Sequence, residues 1–204
     1  LDEISEPQNA PILIAGFGRY GQIVSRVLLA QGQPCTVLDH DAEMIEAARR
    51  FGYRVFYGDA TRLDLLRTAG AERAKVLVVA VDNVTQSLEI VDLAREHFPH
   101  LQIVARARDV THWNQLRDRE VMLVQRELFE SSLLSARSVL ELIGQPREAA
   151  EQVIHRFRQH TVELFEPLHP YYNDSAKLIS VVKQGRQQLE EQMAREREDQ
   201  ARRT

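Results

Sequence analysis

The chain has 204 residues, of which 44% are apolar and 27% are charged, and its formal net charge is −4. This composition is ordinary for a globular protein, and it argues against a wholly disordered chain and against a nucleic-acid binder that acts by neutralising phosphates. A membrane-spanning helix needs about 20 consecutive apolar residues, and the longest apolar run here covers only residues 76–81. The single cysteine, Cys35, excludes an internal disulfide and suits a reducing, cytosolic setting.

Apolar runs and helically spaced apolar residues alternate along most of the chain. Residues 1–10 are polar and charged and are predicted to be a linker. Strands are then predicted at 11–15, 35–39, 54–57, 76–81, 102–106 and 121–124, and helices at 22–31, 42–51, 63–69, 83–96 and 109–118. Single helices between strands imply right-handed crossovers. Residues 11–125 are therefore predicted to form an α/β domain, a Rossmann-like doubly wound parallel six-stranded sheet with helices on both faces.

The pattern becomes purely helical after the last predicted strand. An amphipathic helix is predicted over 127–142, a second helix over 149–165, and a turn over 168–174. These residues form a segment, 126–174, of peripheral helices. The final segment, 175–204, is dense in Arg, Glu and Gln, and its predicted helix over 175–203 is expected to be solvated, frayed or paired with another chain.

A glycine-rich motif follows the first predicted strand and opens the first helix, and it comprises Gly16, Phe17, Gly18, Arg19, Tyr20 and Gly21. In a dinucleotide fingerprint, Gly16 would permit the tight turn, Gly18 would let the backbone approach a phosphate, and Gly21 would let helix and strand pack closely. The helix N-terminus adds amide donors and a partial positive charge. The motif therefore predicts a nucleotide site, with simple helix–strand packing as the alternative.

A carboxylate stands where the fingerprint requires one, at the end of the second predicted strand. Asp39 lies about 20 residues after the motif and suits the two hydroxyl groups of an adenosine ribose. His40 follows it and is included in the candidate site. Asp41 is a neighbouring candidate, although capping of the next helix is the favoured role for that side chain.

Two further candidates follow later strands at the same predicted edge of the sheet. Asp59, followed by Ala60, could accept a hydrogen bond from an adenine amino group or could cap the next helix. Arg106 ends the fifth strand and could reach a phosphate, with a surface ion pair as the alternative. Because ligands bind outside the carboxyl ends of parallel strands, these residues join the candidate nucleotide site.

Basic residues elsewhere suggest a second, anionic ligand. Arg19 lies inside the glycine loop, Arg126 follows the sixth strand, and Arg156 and His160 share a face of a late helix. They could hold a peptide-like anion, but for the helix a solvated face is the favoured alternative. No metalloprotease signature, nucleophile elbow or Walker loop is present, so neither a catalytic residue nor a metal site is predicted. A soluble NAD-dependent oxidoreductase is the alternative from another class.

These motifs closely resemble those of the regulator of potassium conductance (RCK, or KTN) domains. The finer resemblance is to the cytoplasmic regulatory domains of Kef-type glutathione-gated potassium-efflux systems, and it covers the chain from Pro11 onward. It rests on the glycine motif and on residues 37–39, 57–61 and 105–108, and the finer match rests on residues 58–67, 97–101 and 125–129.

The resemblance implies a Rossmann cleft that binds an adenine nucleotide, either AMP or NAD(H). It also implies that glutathione keeps the transporter closed and that bulky glutathione conjugates open it. The glutathione site would include Arg19, Arg126, His160 and Thr161, although many relatives have an asparagine where Thr161 stands.

The resemblance further implies a set of partners. The chain would form a homodimer through the helix after the sixth strand. It would be joined through residues 1–10 to a membrane-embedded transport domain, and it would lie on the cytoplasmic side of the inner membrane. A flavin-dependent ancillary subunit would be a further partner. The alternative within this group is an RCK-type regulator of another potassium channel or transporter that senses nucleotides.

Overall fold

A computed structural model of the protein describes residues 1–203, which divide into two compact units. The first unit comprises Leu1–Glu127, and the second begins at Leu128. The division predicted at residue 125 lies close to this boundary.

The first unit is a six-stranded parallel sheet in the order β3-β2-β1-β4-β5-β6. Its elements in chain order are β1 (Ile12–Ala15), α1 (Arg19–Ala30), β2 (Cys35–Asp39), α2 (Ala42–Arg50), β3 (Phe56–Tyr57), α3 (Leu63–Thr68), β4 (Val76–Val79), α4 (Val84–His97), β5 (Gln102–Ala107), α5 (Val110–Asp118) and β6 (Leu123–Arg126). This arrangement confirms the predicted Rossmann-like doubly wound fold. The strand order reverses between β1 and β4, which is where such sheets open a crevice for ligands.

Two separate apolar cores lie on the two faces of this sheet. Neighbouring residues of β1 illustrate the alternation, because Leu13 belongs to one core and Ile14 to the other. Leu13 shares its core with buried residues of α3, α4 and α5, whereas Ile14 shares its core with Ile45 and Ala48 of α2. Strands that are buried on both faces need continuous apolar runs, which explains the sequence of β4.

The segment expected to be a linker packs against the first unit. Ile4 is buried in a core cluster, and its amide donates to the carbonyl oxygen of Tyr57 at 2.9 Å. Further along, the amide of Gln8 donates to the carbonyl oxygen of Thr68 at 2.9 Å. The buried Ile4 side chain therefore anchors residues 1–10 to the first unit.

Most predicted boundaries differ from the observed ones by one to three residues, and three of the larger differences are in the first unit. The helix α1 begins at Arg19 instead of residue 22, β4 ends at Val79 instead of residue 81, and β6 covers Leu123–Arg126 instead of residues 121–124. The reason is that strand ends depend on pairing with a neighbour, and β6 pairs with residues 104–107 of β5. Apolar composition by itself does not distinguish a paired residue from a buried residue in a turn.

The second unit is helical, as predicted for the C-terminal extension. It contains α6 (Phe129–Leu142), α7 (Arg147–Phe165), a 3-10 turn (His169–Tyr171) and α8 (Ser175–Arg203). The helix α8 exposes most of its surface and packs closely against α7 at Gly185, where a Cβ atom would lie 2.8 Å from Leu164 Cδ1. Thr204, the last residue of the predicted charged segment, lies outside the described residues.

Candidate functional site

The carboxyl edge of the sheet carries a cleft of about 210 Å³ at the switch point between β1 and β4. Most of the residues predicted for the nucleotide site line this one cleft. They are Gly16, Gly18, Arg19, Asp39, His40, Asp59, Ala60 and Arg106. The shared edge therefore brings together residues that are up to 90 positions apart in the chain (Gly16 to Arg106).

The glycines of the motif differ in what surrounds them. Gly16 has a positive φ of 104°, and a Cβ atom there would lie 2.9 Å from the Ala80 carbonyl carbon. A Cβ atom at Gly21 would lie only 2.0 Å from the Gly16 carbonyl oxygen. Gly18, by contrast, has no atom within 4 Å of its Cβ position, and it lines the cleft. The fold itself requires Gly16 and Gly21, whereas the Cβ position of Gly18 is unobstructed.

The N-terminus of α1 offers a site for an anion. Gly18 is the N-cap residue, and no side chain caps this helix. The first amides of an uncapped helix can donate to a phosphate, and the helix dipole favours negative charge at that end. The open space at Gly18 lies at the same helix terminus, so these residues fit a bound phosphate group.

Asp39 ties the glycine loop to the turn before α2. Its Oδ2 accepts from the amide of Phe17 at 2.7 Å, and its Oδ1 accepts from the amide of Asp41 at 2.8 Å. A carboxylate oxygen has two acceptor sites, so both oxygens retain capacity for ribose hydroxyl groups. Asp41 caps α2 by accepting from the amides of Glu43 and Met44, which confirms its predicted capping role.

Asp59 closes a local turn and does not cap the next helix. Its Oδ1 accepts from the amide and the hydroxyl of Thr61, at 2.9 and 2.7 Å. The N-cap of α3 is Arg62, so the capping alternative for Asp59 is wrong. Among residues 1–203, the second oxygen, Oδ2, has no protein partner, and it is the atom that could accept from an adenine amino group.

Arg106 forms an ion pair, but not at the surface. The residue is only 7% exposed, and its guanidinium pairs with the Glu127 carboxylate and donates to the Ala80 carbonyl oxygen at 3.2 Å. The same guanidinium lies over the ring of Tyr20, 5.5 Å from the ring centroid. Burial raises the pKa of the Tyr20 phenol, and the Arg106 charge acts in the opposite direction. Arg106 lines the cleft with most of its bonding capacity already in use.

Three of the residues predicted for the nucleotide site are not among those that line the cleft. Phe17, Tyr20 and Gly21 do not line it; Phe17 is 2% exposed and packs against Tyr53 with ring centroids 5.8 Å apart. Sequence reasoning missed Asp82 and Gln86, which line the cleft after β4. Asp82 follows the carboxyl end of β4, the same signal that pointed to Asp39, whereas Gln86 lies in the first turn of α4.

The residues predicted to bind glutathione fall in both units. In the first unit, Arg19 is exposed at the cleft and Arg126 ends β6, where burial lowers the pKa of its guanidinium below the ordinary value. In the second unit, His160 and Thr161 lie on α7. Thr161 is buried, and its hydroxyl donates to the Phe157 carbonyl oxygen at 2.9 Å, so this hydroxyl is engaged within its own helix.

One histidine near the cleft is buried. His112 is 2% exposed; its Nδ1 accepts from the amide of Arg108 at 3.0 Å, and its Nε2 lies 3.0 Å from Ser87 Oγ. Burial, and secondarily the nearby cations, lower the pKa of this imidazole against the opposing effect of Asp109 and Glu127. The ring is therefore held neutral, because a proton on Nδ1 would face an N–H donor.

We expect acid to destabilise the first unit through His112. A histidine whose pKa is lowered by folding contributes its stability above the ordinary pKa of about 6.5 and loses it as the pH falls below that value. The melting temperature should therefore fall from pH 7.5 to pH 5.5. A His112→Asn variant, which retains an acceptor near the Nδ1 position, should melt lower at pH 7.5 but show a flatter dependence. The exposed His100→Asn variant is the control, and equal slopes in all three proteins would refute the assignment.

Within residues 1–203, no set of His, Cys, Asp and Glu side chains is arranged to hold a metal ion. Over the same range, none of the helices has the combination of length and apolar character that crossing a membrane requires.

Comparisons with known proteins identify the family. The sequence matches the TrkA-N domain over residues 12–125 and the potassium efflux system KefB C-terminal domain over residues 131–204. The glutathione-regulated potassium-efflux system protein KefC of Salmonella arizonae is 45% identical over 197 residues, a match that covers 97% of this chain and 32% of that protein. The chain thus spans about a third of the length of this relative.

Solved structures agree with the sequence matches. The structure of a Kef C-terminal domain of Shewanella denitrificans in AMP-bound form is 42% identical, with a TM-score of 0.72, and the match covers 78% of this chain and 97% of that one. The TrkA-N domain of the inner membrane protein YbaL from Escherichia coli is 28% identical, with a TM-score of 0.56, over 65% of this chain and 96% of that one. The resemblance drawn from the glycine motif is confirmed, and the chain belongs to the TrkA-N family and, within it, to the C-terminal domains of Kef-type potassium-efflux systems.

Proposed function

We propose that this chain is the regulatory domain of a glutathione-gated potassium-efflux system and that its cleft binds AMP. The observation that carries the proposal is the open space at Gly18 beside the uncapped N-terminus of α1, at the same sheet edge as Asp39. The AMP-bound form of a Kef domain that is 42% identical supports it. Asp39 suits the ribose of AMP and of NAD(H) alike.

Each part of AMP has a partner of suitable chemistry. The phosphate would accept from the first amides of α1, with Arg19 at the rim of the cleft adding positive charge. The ribose hydroxyls would donate to Asp39. The adenine amino group would donate to Oδ2 of Asp59, whose other oxygen is held by Thr61.

An Asp39→Asn variant should bind AMP about tenfold more weakly, because a hydrogen bond to a charged group contributes about 1.5–3 kcal/mol. The measurement is calorimetric titration with AMP and with 2′,3′-dideoxy-AMP, which lacks the ribose hydroxyls. The dideoxy compound should bind both proteins with similar affinity. Glu43→Gln is the matched control because it removes the same charge from an exposed residue in the first turn of α2 that does not line the cleft. An unchanged AMP affinity in Asp39→Asn removes Asp39 from the site.

Glutathione and its conjugates are the proposed gating ligands. Glutathione carries two carboxylates and one ammonium group, so guanidinium groups suit it, and we assign the main contacts to Arg19 and Arg126. His160 and Thr161 are the proposed contacts from α7, although the Thr161 hydroxyl already donates within its helix. A ligand biases a two-state gate only through its different affinities for the two states. The S-substituent of a conjugate would change that difference.

An Arg126→Ala variant is expected to lose the thermal stabilisation that glutathione confers while retaining that of AMP. At a concentration ten times its dissociation constant, a ligand stabilises the folded state by about 1.4 kcal/mol, which a thermal melt resolves. Arg73→Ala is the control, because Arg73 is exposed and precedes β4, at the opposite end of the strand from the cleft. Equal glutathione shifts in wild type and Arg126→Ala would contradict the assignment.

The rest of the proposal concerns the whole transporter. We propose a homodimer in which α6 takes part, and the exposed apolar side chains of Leu134, Val139 and Leu142 on that helix support it. We further propose a membrane-embedded transport domain as partner, a location on the cytoplasmic side of the inner membrane, and a flavin-dependent ancillary subunit. The KefC relative, of which this chain matches about a third, supports the transport domain. Equilibrium sedimentation of the isolated chain tests the dimer.

A further inference from the structure

The buried ion pair beneath the cleft joins two parts of the first unit that are distant in sequence. Glu127 is the last residue of that unit and stands two positions before α6. Its amide donates to the Ala107 carbonyl oxygen at 2.9 Å, and its carboxylate accepts from Nε of Arg106 at 2.6 Å. The two side chains are 8% and 18% exposed, so water screens their attraction poorly. Arg106, which lines the cleft, therefore also holds Glu127, the residue that leads into α6.

The Arg106 guanidinium also contacts Ala80, the residue that packs against the glycine loop. Its Nη1 donates to the Ala80 carbonyl oxygen at 3.2 Å. Ala80 is the residue against which Gly16 and Gly21 pack, because Cβ atoms at those glycines would lie 2.9 Å from its carbonyl carbon and 3.3 Å from its Cβ. A guanidinium has five N–H donors in one rigid plane, so its contacts to Ala80 and Glu127 cannot move independently.

We propose that Arg106 and Glu127 form a clasp that couples nucleotide binding to the connection into α6, with Glu127 as a positioning residue. This inference rests on the proposed nucleotide function. A phosphate bound at the glycine loop restrains Gly16 and, through it, Ala80, and the Ala80 carbonyl oxygen in turn restrains the Arg106 guanidinium and its Glu127 partner. By linkage, nucleotide binding and the ordering of residues 127–132 then stabilise each other by the same factor.

Hydrogen exchange measured by mass spectrometry on the whole chain tests the clasp. In the wild type, AMP should slow amide exchange in residues 16–22 and also in residues 127–132, by about fivefold or more, the lower end of coupling between linked sites. In Glu127→Ala, AMP should still protect residues 16–22 but should no longer protect residues 127–132. Glu127→Gln retains an acceptor oxygen for the guanidinium and should restore part of the protection. Glu72→Ala removes an exposed carboxylate paired with Arg67 and is the control.

The outcomes separate this inference from the proposed function. If AMP protects neither segment of the wild type, the proposed nucleotide function fails, and the clasp fails with it. If AMP protects residues 16–22 but not residues 127–132, only the clasp is overturned, and this comparison needs no variant. Equal protection of residues 127–132 in the wild type, Glu127→Ala and Glu127→Gln also overturns it. If Glu127→Ala does not fold, the Glu127→Gln variant provides the test. AMP protection of residues 127–132 that equals the wild-type protection refutes the clasp, and reduced protection of that segment supports it.

Discussion

Replacing Gly21 with alanine is expected to lower the melting temperature of the first unit by roughly 10 °C. The added Cβ would lie 2.0 Å from the Gly16 carbonyl oxygen and 2.9 Å from its carbonyl carbon. Both atoms belong to the backbone, so α1 must move away from the glycine loop to make room. Overpacking of this kind costs about 3 kcal/mol or more when no side chain can yield. Thermal melts followed by circular dichroism measure the loss.

Ser25→Ala is the matched control for this helix. Ser25 is fully buried on α1, one turn beyond Gly21, and among residues 1–203 its hydroxyl has no hydrogen-bond partner. Removing an unsatisfied buried hydroxyl and adding a better helix former should leave the melting temperature unchanged or raise it. If Gly21→Ala melts within about 2 °C of the wild type, close approach of α1 to the glycine loop is not what the residue provides.

Replacing Gly18 with alanine should have the opposite effects, an intact fold and a loss of nucleotide binding. Gly18 has φ −73° and ψ −166°, which any residue adopts, and its Cβ position has no atom within 4 Å. The substitution should therefore be neutral or should stabilise the protein by up to about 1 kcal/mol. Because Gly18 lines the cleft, we expect the methyl group to obstruct the approach of the phosphate to the backbone. Loss of a charge-assisted contact predicts AMP affinity reduced by about 10- to 100-fold, measured by calorimetry.

Gly32→Ala is the control for Gly18→Ala, because it should lower stability and leave AMP binding unchanged. Gly32 also has open space around its Cβ position, but it lies just beyond the C-terminal end of α1 and has a positive φ of 74°. Alanine there should cost about 1 kcal/mol of stability because that backbone conformation is unfavourable for a residue with a Cβ atom. AMP affinity should be unchanged. If the Gly18→Ala variant binds AMP as tightly as the Gly32→Ala variant does, Gly18 is not part of the phosphate site.

The role of each glycine shows how far sequence reasoning extended into the site. The fingerprint predicted close packing at Gly21, which the short distance from its Cβ position to the Gly16 carbonyl oxygen confirms, and backbone access at Gly18, which stays a prediction. The position of Asp39 was predicted in the same way, from its distance to the motif. Its bond to the Phe17 amide was not predicted, because a hydrogen bond across 22 residues depends on how β1 and β2 pair.

The partner of the Arg106 side chain could not be predicted from the sequence. Its place at the carboxyl end of β5 followed from periodicity, and it does line the cleft. Whether its charge faces a ligand or a carboxylate depended on Glu127, 21 residues further along, and no local pattern links the two. The packing of Ile4 against the first unit is a similar case, since a single apolar residue in a polar segment has no periodicity.

The amino-acid sequence by itself determined the alternation of strands and helices, the glycine turn, and the set of residues that follow the strands. These features depend on local periodicity, on backbone conformations that only glycine tolerates, and on the rule that parallel strands end at a common edge. Only the tertiary structure decided the exact ends of β4 and β6, the place of Asp82 and Gln86 in the cleft, and the pairing of Arg106 with Glu127. Each of these depends on a partner that is distant in the chain and is brought close only when the sheet assembles.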